Sequence, residues 1–124
     1  MHRILAIALV AVFAAGCSGG NSGSTTTAAP TTTTPPPGTY SIDILGTAAG
    51  YGPAALTIHA GDRVKWHNTD EFVHTATADT GTFPSTGDLA AGATSPEYTF
   101  ADPGTYPYHC AKHPTTMHGT ITVQ

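Results

Sequence analysis

Beyond residue 38 the chain alternates between apolar and polar positions with a period of two. Tyr40, Ile42 and Ile44 share one face of a first predicted strand. Leu56 and Ile58 share one face of a second, which stops at the turn Ala60-Gly61-Asp62. Val64 and Trp66 then face inward while Arg63, Lys65 and His67 face outward. After a loop from Thr69 to Phe72, the pattern predicts a short strand over 73–78 and a long Gly/Pro-rich loop from Asp79 to Gly87. Ser95 to Phe100 places Tyr98 and Phe100 together, and Pro103-Gly104 makes a turn. Thr105 to Cys110 then turns Tyr106, Tyr108 and Cys110 inward, and a last strand, Gly119 to Val123, does the same for Ile121 and Val123. Short strands at regular intervals predict an all-β fold, a Greek-key β-sandwich of about seven to eight strands.

The first 38 residues follow other rules. Met1-His2-Arg3, an apolar run from Ile4 to Ala15 and then Gly16-Cys17 have the three-part layout of a secretory signal. The run is too short to span a bilayer. Its end, Ala14-Ala15-Gly16-Cys17, resembles the lipobox of bacterial lipoproteins, which implies a diacylglycerol on the Cys17 thiol and cleavage just before it. Cleavage by an ordinary signal peptidase is the alternative, and both routes export the protein. Residues 18–38 are rich in Thr, Pro, Ser and Gly, with no aromatic and no charge, the composition of a disordered linker. The expected organisation is a signal peptide over 1–17, a linker over 18–38 and one small domain over 39–124.

Charge narrows the partners. The predicted domain holds three cations, Arg63, Lys65 and Lys112, against eight carboxylates, a net −5 with His neutral. That balance excludes nucleic acid as a partner. The domain has no room for a crossover helix, and the chain contains no phosphate-binding glycine motif. Chemistry, if any, falls to a cofactor.

The cysteines show where. Only Cys17 and Cys110 occur, so a lipidated Cys17 leaves one thiol in the exported domain, to be explained by burial, by pairing with another molecule or by metal binding. Cys110, His113 and Met117 form C-x-x-H-x-x-x-M between the last two predicted strands, and His74 opens an earlier one. One thiolate, two imidazoles and one thioether are the donors of a blue-copper site, a His₂Cys plane with a weak axial Met. The soft thiolate favours Cu(I), imidazole suits both oxidation states, and the thioether is too weak to impose a tetragonal geometry. His118 is the rival axial ligand, although strand parity turns it away from Met117. His109 is expected to point outward, and His59 and His67 are expected at the surface. Asp70 and Glu71 are expected to be solvated loop carboxylates.

Several stretches are similar to the plastocyanin/azurin-like cupredoxins, small blue copper electron carriers. They are Val64-Lys65-Trp66-His67-Asn68, Phe72-Val73-His74-Thr75, Pro103-Gly104-Thr105-Tyr106, and Tyr108-His109-Cys110-Ala111-Lys112-His113-Pro114 followed by Met117-His118-Gly119. The resemblance covers residues 39–124. It implies copper held by His74, Cys110, His113 and Met117, with Asn68, Thr75 and Pro114 supporting the ligands. Thr75 stands where the family often has an Asn that ties the two ligand loops together, and its backbone N–H is placed to donate to the Cys110 sulfur. Plastocyanins have four residues between the second His and the Met, and amicyanins two; here there are three.

The expected function is therefore an exported one-electron carrier rather than an enzyme. It would be a lipid-anchored monomer at the outer face of the cytoplasmic membrane or in the periplasm, and would serve redox partner proteins there. A copper-binding or copper-delivery protein would use the same residues. A metal-free adhesion module would leave the Cys/His/His/Met pattern unexplained. Affinity alone does not exclude zinc from such a site.

Overall fold

The computed structural model describes residues 34–124; the predicted signal peptide, Cys17 and most of the linker lie outside the described residues. Within Thr34–Gln124 the chain forms one compact unit of eight strands, with no helix among the described residues. They are β1 (Thr39–Gly46), β2 (Gly50–Gly52), β3 (Ala55–Ile58), β4 (Arg63–Asn68), β5 (Thr77–Ala78), β6 (Tyr98–Thr99), β7 (Gly104–His109) and β8 (His118–Val123). Two four-stranded sheets result, in the orders β2-β1-β4-β6 and β3-β8-β7-β5. The pairs β1/β4 and β3/β8 are parallel, and the other neighbours are antiparallel.

The alternation sets the core. Ile42 and Ile44 from β1, Val64 and Trp66 from β4, and Ile121 and Val123 from β8 are buried, while Thr39, Ser41 and Arg63 are exposed. Tyr108 is fully enclosed, its ring edge-on to Tyr51 at 4.7 Å and to Trp66 at 5.5 Å. At Gly119, across the ladder from Tyr108, a Cβ would overlap the Tyr108 ring, so this close approach requires glycine.

Three local expectations change. The strand expected over 73–78 is regular only at Thr77–Ala78, because His74 leaves the ladder and exchanges two backbone hydrogen bonds with Leu89 (3.1 and 2.8 Å). The Gly/Pro-rich loop does lack regular structure, yet its Phe83 is buried and stacks on Trp66 at 5.4 Å. Burying a Phe side chain contributes about 1.5–3 kcal/mol, and it pins the loop to the core. The short β2 was not foreseen, and its Tyr51 sends a hydroxyl to the Thr75 carbonyl at 2.6 Å.

Both ends of the unit meet the turn between β3 and β4. Asp62 accepts the N–H groups of Gly38 (2.6 Å) and His59 (2.8 Å), Arg63 N–H donates to the Gly38 carbonyl, and Gln124 bonds to Ile58 and Ala60. The donors from His59 and Gly38 hold the Asp62 carboxyl below its ordinary range. From this turn β4 runs to Asn68, at the other end of the sandwich.

Candidate metal centre

That other end gathers the predicted donors. The Asn68 side chain is buried and fully used: its amide donates to the carbonyls of Phe72 (2.7 Å) and Leu89 (2.8 Å), and its oxygen accepts Asp70 N–H (3.0 Å). Those bonds shape the loop that delivers His74. From the other sheet, β7 ends at His109 and hands on to Cys110, whose N–H donates to the Met117 carbonyl at 3.0 Å. The intervening turn closes with His113 N–H on the Cys110 carbonyl (3.0 Å) and Met117 N–H on the His113 carbonyl (3.1 Å). Cys110, His113 and Met117 therefore belong to one hydrogen-bonded loop.

His74, Cys110 and Met117 have no solvent exposure, and His113 is half-buried. The Cys110 Sγ lies 3.7 Å from the Nδ1 of His74 and 3.7 Å from the Nδ1 of His113. All three donor atoms fall within 4.8 Å of one another. A metal bound about 2.3 Å from sulfur and about 2.05 Å from nitrogen, at a trigonal angle, separates those two atoms by about 3.8 Å. The donors thus stand at the spacing that one ion requires, and a thiolate with two imidazoles and a thioether is the type 1 copper set.

The surroundings favour the metal-binding thiolate form of Cys110. Burial raises the Cys110 thiol, but donors outweigh it and bring it down to about 6: the Thr75 N–H at 3.4 Å, His74, His113 and the Lys112 N–H. His74 is lowered by burial, yet its bond to Asp70 and the neighbouring Cys110 leave it raised overall. Its Nε2 sits 2.7 Å from Asp70 Oδ2, which leaves Nδ1 facing the sulfur. The bond to His74 in turn holds the Asp70 carboxyl below its ordinary range. A carboxylate on the far nitrogen of a ligand His fixes its tautomer and raises its basicity.

Thr75 connects the two ligand loops. Its Oγ1 accepts the Ala111 N–H at 2.8 Å and contacts Thr77 Oγ1 at 3.1 Å, so the hydroxyl makes the tie expected of an Asn in the family. Pro114 is exposed beside His113, and Lys112 reaches Asp88 at 3.0 Å. His118, the rival axial ligand, is exposed and in register with His109 in the β7–β8 ladder, whereas Met117 is buried. Parity is the reason, since Met117 is buried and its neighbour must point out. Asp70 is the residue that sequence reasoning missed; the available signal was a carboxylate four positions before a ligand-type His.

A cupredoxin-like domain model matches residues 6–123. The chain is a cupredoxin. It is 37% identical over 82 residues to plastocyanin from Scenedesmus fuscus, spanning 58% of this chain and 84% of that protein. A Cu(I) structure of a methionine-to-alanine mutant of amicyanin superposes with a TM-score of 0.61 at 26% identity, covering 69% of this chain and 82% of that one. A purple cupredoxin from Nitrosopumilus maritimus superposes at 0.60 with 28% identity, covering 68% of this chain and 99% of that one. The cupredoxin sandwich thus supplies the frame, and its end carries the four donors.

Proposed function

We propose that this cupredoxin is an exported type 1 copper protein that carries single electrons between redox partner proteins. Cys17 bears a lipid that holds it at the outer face of the cytoplasmic membrane or in the periplasm, and it acts as a monomer. The observation that carries the reading is the buried convergence of a low-pKa thiol with two imidazole nitrogens at 3.7 Å. His74, Cys110, His113 and Met117 would hold the copper. Copper, when bound, supplies a one-electron couple between Cu(II) and Cu(I).

The remaining roles belong to the chain. The Thr75 N–H on the Cys110 sulfur and Asp70 on His74 fix the donors before metal arrives, so little reorganises when the charge changes. Four protein donors leave no open position for a substrate, which argues for a carrier and against an enzyme. His113 reaches the surface next to exposed Pro114, and Phe72 (64% exposed) and Val73 (38%) lie in the neighbouring loop. This apolar rim suits brief docking of a redox partner.

The test is to load the full chain with Cu(II) and record visible and paramagnetic-resonance spectra, then repeat on Cys110→Ser and Met117→Leu. An intense thiolate-to-copper band with narrow hyperfine splitting, lost in Cys110→Ser and shifted in Met117→Leu, is expected. A pale tetragonal spectrum indifferent to Met117→Leu, with copper that exchanges readily, would instead make the protein a copper-delivery module.

A further inference from the structure

On the outside of the β7–β8 ladder, away from the buried donors, two more histidines meet. His109 and His118 are cross-strand partners in register. The next rung is closed by the Cys110 N–H on the Met117 carbonyl. Antiparallel rungs alternate, so His109/His118 is a non-hydrogen-bonded pair, the kind in which side chains approach most closely. Their ring centroids are 6.5 Å apart with the planes at 47°. The buried pair His74/His113 provides a scale, with centroids at 5.0 Å and the same 47°. The outer pair needs to close by about 1.5 Å to match it, a movement that side-chain torsions of an exposed His118 supply.

His109 is also oriented in advance. Its Nδ1 is 2.5 Å from Asp79 Oδ1, and Asp79 is held by its own N–H on the Pro107 carbonyl at 3.0 Å. A carboxylate on one imidazole nitrogen leaves the other as a free lone pair, the arrangement that supports metal-ligating histidines generally. It repeats on the surface what Asp70 does for His74 inside.

We propose that His109 and His118, with Asp79 behind His109, form a second metal site that takes one exchangeable divalent transition-metal ion, Zn(II) or Cu(II), with water completing its coordination. The pair of imidazoles matches the donor preference of these ions. This site is independent of whether the buried site carries electrons.

The experiment titrates the copper-loaded full chain with Zn(II) by calorimetry and follows the histidine ring signals by NMR in the Cu(I) form. One equivalent is expected to bind and to shift the rings of His109 and His118 while leaving those of His59 and His67 in place. His118→Ala and His109→Gln should each weaken binding at least about 10-fold, and Asp79→Asn by about 10-fold. Absorption at the buried site reports that each variant is folded. Repeating the titration in Cys110→Ser, where the buried donor set is broken, should leave the outer equivalent and its dependence on His118 intact. No Zn(II) binding by the copper-loaded chain, or binding unchanged in both His118→Ala and His109→Gln, overturns the proposal.

Discussion

Thr75 offers the sharpest test of how the two ligand loops are held together. Replacing it with Val keeps the branched shape but removes the acceptor for the Ala111 N–H and the contact with Thr77 Oγ1. Each such hydrogen bond contributes about 0.5–1.5 kcal/mol net, so the pair amounts to about 1–3 kcal/mol. In a domain of this size each kcal/mol moves Tm by about 4–8 °C, so metal-free Thr75→Val should melt at least about 4 °C lower. Thr75→Ser keeps both bonds and loses one buried methyl, a cost of about 0.8 kcal/mol. Melting alone can blur that difference, so amide exchange decides it. Loss of the Ala111 bond alone should speed exchange of that amide about 2- to 12-fold in Thr75→Val and leave it unchanged in Thr75→Ser. Equal Ala111 exchange in the two variants would refute the tie.

Other consequences are open to measurement. Asp70→Asn removes the carboxylate from His74 and should weaken copper binding about 10- to 100-fold in competition with a chelator. It should also raise the reduction potential, because a negative charge near the metal favours Cu(II). Gly119→Ala forces a Cβ into the Tyr108 ring and should cost about 1–3 kcal/mol in denaturant unfolding. Asp62 has a folded pKa below its unfolded value, so its contribution is complete above about pH 4 and fades as pH falls through the folded value. Asp62→Asn should therefore be less stable than the parent at neutral pH and lose less stability on acidification, as followed by circular dichroism.

Much of the sandwich was legible because burial follows strand parity. Ile42 and Ile44, Val64 and Trp66, and Ile121 and Val123 lie inside as their alternation requires. The C-x-x-H-x-x-x-M loop was legible because its donors are local in sequence, and the structure closes it with short-range hydrogen bonds. The rest depends on partners far along the chain. A three-residue Gly-Tyr-Gly strand has no period to detect, and Tyr51 is buried through its bond to Thr75, 24 residues away. His74 leaves the strand pattern because Leu89 satisfies its backbone, and Phe83 sits in a loop whose composition gives no hint of the Trp66 ring it covers. Asp70 stood in the sequence as one of two loop carboxylates, and only the fold sets it against an imidazole.

The turn that clamps Gly38 and Gln124 has a geometric consequence. From Arg63 at that turn to Asn68 at the metal end, β4 spans roughly 17 Å of extended chain. Both Gly38 and Gln124 are therefore moored at the pole opposite the histidine and thiol loops. A surface, tag or electrode attached through either side of the domain pulls on one pole and turns the other outward. Orientation is thus built into the connectivity: the face carrying His113 is the one left free to meet whatever approaches.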